Sequence, residues 1–175
     1  LADQHGLDNL TLARLADELG IRSPSLYTYV DGIDGLRREM KLQATARLGE
    51  RITEARKGLC GEVALVEMCF AYRHCAKEHP GMYQAIMAAT PQPGDEEMMA
   101  AQLAAGAPVA EVLGEMGIEG EALMQALRLY RAALHGFITL ELGAGFGWDL
   151  DVDTSFRLLV EVLLSGLRNT LSEEV

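Results

Sequence analysis

Apolar side chains recur along this chain at spacings of three and four residues, and no stretch alternates apolar with polar as a half-buried strand would. Leu12, Leu15, Ala16 and Leu19 fall at i, i+3, i+4 and i+7. That spacing predicts one apolar face on a short helix capped by Thr11 and stopped by Gly20. Glycine there accepts the left-handed backbone of a sharp turn, and Ile21 is expected to fold back on the helix. Ser23 as N-cap with Pro24 at the first helical position opens a second helix, whose Leu26 and Val30 face inward. Ala16 is small where the two helices must cross. The pair reads as a helix-turn-helix, although the same pattern also builds an ordinary helical hairpin. The outward residues Ser23, Ser25, Tyr27, Thr28 and Tyr29, with Arg22 just before them, offer hydrogen bonds suited to phosphate oxygens and base edges. Thr11 completes this candidate DNA-binding set.

A long helix is expected from about Asp34. Its apolar residues Leu36, Met40, Ala44, Leu48 and Ile52 are spaced strictly by four, so the stripe winds by about 40° per step. Leu36 and Ile52 then face directions about 160° apart, which suits a helix buried against one unit at its start and another at its end. Arg37, Arg38 and Lys41, near that start, are candidates to reach phosphate, while the cations from Arg47 onward read as a solvated face. From Glu62 to Glu78 the pattern is apolar nearly all round, so this helix should be enclosed. A short helix from Met82 to Ala89 precedes a loop at Pro91-Gln92-Pro93-Gly94. The next helix runs to Met116, with acidic residues in its first turn and Pro108 breaking or kinking it. Glycines at 94, 106, 114 and 117 mark that region as the flexible wall of a pocket. Two more helices complete the pattern, Glu121 to Leu142 and one after the glycine-rich loop at Gly143 to Trp148. In the last, Phe156, Leu159, Val160, Leu163, Leu164 and Leu167 repeat at i, i+3, i+4, i+7, i+8 and i+11.

The residues Leu10-Thr11, Leu15-Ala16, Leu19-Gly20-Ile21, Ser25-Leu26-Tyr27 and Tyr29-Val30, followed by Asp34 and Leu36, resemble the DNA-binding domain of the TetR family of bacterial transcriptional regulators. The resemblance covers about 30 residues. It implies an all-α homodimer with an N-terminal three-helix head at residues 1–44 and a larger effector-binding and dimerisation domain at 45–175. Two positions depart from the pattern. Ile33 stands where many members place a phosphate-contacting lysine, and Tyr29 where a recognition-helix histidine is frequent. Leu134-His135-Gly136-Phe137, with Glu141, resembles the Trp-His-Gly class of C-terminal domains, its tryptophan replaced by Arg131. In the resembled family the last two helices of each subunit pair with their mates as a four-helix bundle. Phe156, Leu159, Val160, Leu163, Leu164 and Leu167, with Gly136 for close approach, are therefore the expected dimer interface. The chain opens at Leu1, and only five residues precede Gly6 of a helix the family builds longer, so further residues are expected upstream.

Net charge is −11, which on its face opposes a nucleic-acid partner. Residues 1 to 57, however, carry nine basic and nine acidic groups, so the whole acid excess lies beyond them. A neutral head on an acidic body would be steered to DNA end-on. Cys60, Cys69 and Cys75 match no zinc or redox spacing, and His74, Cys75 and His79 do not share a helix face, so neither a metal nor another cofactor is expected. No nucleophile, phosphate-loop or paired-metal motif appears, which argues against an enzyme. With no long apolar run and no signal peptide, a cytoplasmic protein without membrane contact is expected. Eight methionines suggest an adaptable cavity. Met68, Met82, Met87, Met98 and Met99 cluster around the proline loop. Met68, Met87, Met98 and Met99, with Tyr72, Tyr83, His135 and Trp148 as polar or aromatic wall, form the candidate effector pocket. The functional expectation is a repressor bound to a palindromic double-stranded operator and released by a small lipophilic effector. The alternative is a dimeric all-α small-molecule-binding protein that does not bind DNA.

Overall fold

A computed structural model describes residues 1–88 and 94–172, and every regular element in them is helical. Helix α1 (Ala2–His5) and a 3₁₀ turn (Leu7–Asn9) precede α2 (Leu12–Leu19) and α3 (Ser23–Leu26). Then follow α4 (Gly32–Arg56), α5 (Gly61–Glu78), α6 (Pro80–Met87), α7 (Glu96–Glu115), α8 (Gly120–Leu142) and α9 (Val152–Ser172). The expected loop at Pro91 to Pro93 lies outside the described residues.

The winding stripe of α4 does what its spacing requires. Leu36 and Met40, with Ile33, pack against Leu7, Leu10 and Ala85, whereas Leu48 and Ile52 enter the main core. No break falls at residue 44, so α4 is one rod shared by head and body. Where it crosses α7, a Cβ on Gly49 would stand 2.9 Å from Ala105 Cα, so glycine is what allows the two helices to meet. α5 is enclosed as its composition predicts, and around it α4, α7, α8 and α9 bury Leu65, Met68, Val112, Leu134, Ile138 and Phe156.

Helix α7 forms despite its glycines and its internal proline. The helix is continuous through Gly106, Pro108 and Gly114, and packing on α4 supports it where local propensity is weak. Asp95 caps it, accepting from the Met98 amide at 3.1 Å. The same carboxylate takes two bonds from Arg38, Nε at 2.9 Å and Nη2 at 2.7 Å, and Arg38 also reaches Glu97 at 2.8 Å. Arg38 is thus held by the first turn of α7, and Lys41 is buried.

The predicted dimer stripe is also spent within the protomer. Phe156, Val160, Leu163, Leu164 and Leu167 are buried in its own core, and Leu159 packs against that core. An i, i+3, i+4 stripe is the inner face of any amphipathic helix. The opposite face of α9 carries Leu158 and Val162, both exposed.

Candidate nucleic-acid interface and body centre

The helix-turn-helix forms from the local signals in its sequence. Thr11 Oγ1 accepts from the Arg14 amide at 3.2 Å and caps α2. At the other end Gly20 is left-handed, with φ 66° and ψ 27°. Its amide donates to the Asp17 carbonyl at 3.1 Å, and the Ile21 amide to the Ala16 carbonyl at 3.0 Å, which is the Schellman arrangement. Ala16 and Leu26 are buried where the two helices meet. Leu19, expected inside, is 57% exposed, because α3 is one turn long and the apolar stripe outruns it; Ile21 is exposed too. The second helix starts one residue earlier than expected. Arg22 is its N-cap, Ser23 its first residue and Pro24 follows, with no side-chain cap bond. Turn hydrogen bonds carry the helical path onward, from the Val30 amide to the Leu26 carbonyl at 3.0 Å.

Most of the candidate DNA-contacting residues share an open surface. Thr11, Arg22, Ser25, Tyr27, Thr28 and Tyr29 are exposed, while Ser23 is half-buried. Thr28 Oγ1 donates to the Ser25 carbonyl at 2.7 Å, which anchors that hydroxyl and leaves its lone pairs outward. Ile33, at the place of the family's lysine, instead packs on the small core beneath the head.

The candidate effector residues divide. Met68, Tyr72, Tyr83 and His135 come together at the body's centre, joined by Tyr130, which the sequence reading missed. Tyr72 Oη lies 2.9 Å from His135 Nε2, and Tyr83 Oη lies 2.5 Å from Nδ1. Burial, with a smaller push from the Arg131 charge, lowers the His135 pKa to about 4, so the imidazole is neutral at physiological pH. A neutral ring has one N–H and one lone pair, so one phenol accepts from it and the other donates to it. Arg131, standing where the resembled class has tryptophan, thus acts on this centre through its field. Tyr130 Oη is buried with no nitrogen or oxygen partner among the described residues, and only the weakly accepting Cys69 thiol lies beside it. Burial pushes that thiol up to about 12, so it is inert. Four aromatic rings meeting at α5, α6 and α8 carry a signal in the Tyr72, Tyr83, Tyr130 and His135 spacings, but only once the helices are placed.

The other candidates lie elsewhere. Trp148 is 84% exposed in the loop after α8, Met87 and Met99 are exposed, and Met98 is buried beside Asp95 under the head. Sequence proximity to the proline loop does not bring side chains to one cavity.

Helix α6 touches both regions. Inside, Tyr83 reaches His135. Outside, Asp3 accepts from the Gly81 amide at 2.7 Å, and Gln84 Oε1 accepts from the Leu7 amide at 3.0 Å. A Cβ on Gly81 would collide with the Ala2 backbone, so only glycine lets α1 lie this close. On the far side of α5, Arg73 donates to Glu141 at 2.7 and 2.6 Å and to Asp153 at 2.7 Å. Its guanidinium sits 4.7 Å from the centroid of Phe156 and holds the Glu141 carboxyl below its usual range. This network joins α5, α8 and α9. Among the described residues no group of three His, Cys, Asp or Glu is placed to hold a metal, and no helix is long and apolar enough to cross a membrane.

The described residues build an all-α fold in which a capped helix-turn-helix stands beside a larger helical body. Residues 65–163 match the family model described as Tetracyclin repressor-like, C-terminal domain. Over 165 residues the chain is 36% identical to the uncharacterized HTH-type transcriptional regulator Rv0681 of Mycobacterium tuberculosis, covering 94% of this chain and 75% of that protein. It is 29% identical to the uncharacterized HTH-type transcriptional regulator YobS of Bacillus subtilis, covering 95% of this chain and 86% of that protein. Among solved structures, TetR from Acinetobacter baumannii AYE superposes with a TM-score of 0.71 at 17% identity, covering 97% of this chain and 91% of that one. A protein of unknown function from Rhodococcus sp. RHA1 gives 0.78 at 18%, covering 94% and 88%. The chain belongs to the TetR family. It is a DNA-binding transcriptional regulator of the helix-turn-helix type and not an enzyme.

Proposed function

We propose that this regulator is a cytoplasmic homodimeric repressor. It holds a palindromic double-stranded operator through Arg22, Ser25, Tyr27, Thr28 and Tyr29, and a small lipophilic effector in the body centre releases it. The observation that carries this reading is α6, whose Tyr83 bonds to His135 inside while Gly81 and Gln84 hold the head outside. An occupant that displaced Tyr83 would move the support on which the head rests. The Tyr130 hydroxyl, with only the weakly accepting Cys69 thiol beside it among the described residues, and the neutral His135 favour an uncharged ligand with one hydrogen-bonding group. Residues 1–44 then act as the reading head and 45–175 as the effector and dimer domain, with α4 common to both.

The faces that support dimerisation are the outer ones. Leu129, Ala132, Gly136 and Leu140 on α8 repeat at i, i+3, i+7 and i+11, and Leu158, Val162 and Gly166 follow at i, i+4 and i+8 on α9; all seven are exposed. A Cβ on Gly136 or Gly166 would meet no atom within 4 Å, which leaves room for a mate.

Band shifts with DNA from upstream of its own gene test the reading. Thr28→Ala is expected to cost about 1 to 3 kcal/mol at one base pair, Tyr27→Phe to weaken all sequences alike, and Leu158→Glu to give a monomer that binds poorly. A wild-type chain that sediments as a monomer at micromolar concentration, or head variants with unaltered affinity, would refute it. For the effector, hydrophobic compounds that release DNA equally from wild type and Tyr83→Phe would place their site elsewhere.

A further inference from the structure

The chain has a single tryptophan, and its own fold leaves that side chain in water. Trp148 is 84% exposed and Leu150 69%, both in the loop between α8 and α9. Hydrogen bonds fix the chain on either side of them. The Gly145 amide donates to the Leu140 carbonyl at 2.7 Å and the Ala144 amide to the Glu141 carbonyl at 3.2 Å, a Schellman ending of α8 with Ala144 left-handed at φ 52°. Phe146 turns inward onto Phe137, with ring centroids 4.8 Å apart. Beyond the tryptophan, Asp151 accepts from the Thr154 amide at 2.9 Å in the first turn of α9. Trp148 is therefore held outward, two residues after an aromatic ring that the same loop buries.

This loop borders the outer face of α8. A Cβ on Gly145 would stand 2.9 Å from Leu140 Cδ2, so the loop lies directly against the last residue of the exposed series Leu129, Ala132, Gly136 and Leu140. It then leads into α9, whose outer face carries Leu158 and Val162. That continuity selects a second copy of the chain as what covers Trp148. A two-fold contact uses the same patch on both copies, and antiparallel pairing of the α8 helices across Gly136 lays the loop end of one beside the opening turns of the other. Exposed Asp149 at the loop end and exposed Arg128 in those turns are then of opposite charge where they meet. A large aromatic side chain already held in position loses little entropy on docking, the condition under which one residue carries much of an interface. We propose that Trp148 is the anchor of the contact between copies, seated with Leu150 on the second copy. The proposal rests on the homodimer reading above and names the residue that holds it.

Because Trp148 is the chain's one tryptophan, its fluorescence reads the contact directly. Emission and acrylamide quenching are followed as the full chain is diluted, with sedimentation velocity in parallel and N-acetyltryptophanamide as the free indole. In the dimer, emission is expected at shorter wavelength and quenching several-fold weaker than in the dissociated chain. Trp148→Ala, at an exposed position, should keep the wild-type circular dichroism and urea midpoint yet raise the dimer dissociation constant about thirtyfold or more. A wild-type chain that stays monomeric at micromolar concentration takes down the homodimer reading and the anchor together. A dimer whose Trp148 quenches like the free indole overturns the anchor alone and leaves the loop to some other partner. Shielding that persists after dissociation, or a Trp148→Ala chain that dimerises as tightly as wild type, overturns it equally.

Discussion

The head leaves Leu19, Ile21, Tyr27 and Tyr29 exposed and buries little beyond Ala2, Leu7, Leu10, Ala16 and Leu26, whereas the body seals Leu65, Leu113, Leu134, Ile138 and Phe156 almost completely. Each local signal in the head is well made, yet its core is small. The body has weaker local signals and a dense interior. Stability therefore lives in the body, and the head borrows it through two attachments, the shared rod of α4 and the docking of α1 and the 3₁₀ turn on α6. Such a division leaves the helix-turn-helix as the part held by few contacts.

The largest effect expected from breaking this contrast is in the body. Phe156 is fully buried, with ring centroids 5.2 Å from Phe70 and 5.1 Å from Phe137 and the Arg73 guanidinium beside it. Phe156→Ala should cost about 3 to 5 kcal/mol in urea unfolding and carry the head down with the body. A loss below about 1 kcal/mol would mean the α5, α8 and α9 junction does not hold the core.

A smaller effect comes from pH. Unfolded, an imidazole titrates near 6.5, and His135 in the folded chain does so near 4. Between those values the unfolded chain binds more protons, so His135's contribution is complete above about pH 6.5 and is lost as pH falls toward 4. The full window is worth about 3 kcal/mol. Unfolding of wild type and His135→Gln, compared from pH 7 to 4, isolates it from the carboxylates, and equal slopes would show that the ring is not held neutral by burial.

Smallest, and confined to the head, is the docking on α6. In Gly81→Ala the new methyl meets the Ala2 backbone, so α1 must lift, at about 1 to 3 kcal/mol. Amide exchange at Leu7, which donates to Gln84, should speed up while the α5 core stays protected. Unchanged exchange at Leu7 would show that the head does not depend on this contact.

Of the candidate sites, the helix-turn-helix backbone was legible in the sequence to within one residue, because cap, glycine turn and proline start act between neighbours in sequence. The body centre was legible only in part. Tyr72, Tyr83, His135 and Met68 meet as expected, but Tyr130 went unseen, and Trp148, Met87 and Met99 point away, since a helix pattern tells which side is apolar and not which other helix covers it.

By itself, then, the sequence determined the helices, the turn at Gly20, the changing burial of α4 and the enclosure of α5, all of them consequences of local backbone preference and periodic polarity. Tertiary structure alone decided the rest. It paired Arg38 with Asp95, carried α7 unbroken across Pro108, spent the α9 stripe inside the protomer, and opened a cleft over Lys41. Each of these depends on which surfaces meet across long separations in the chain. That choice is made by packing, which no window of neighbouring residues encodes.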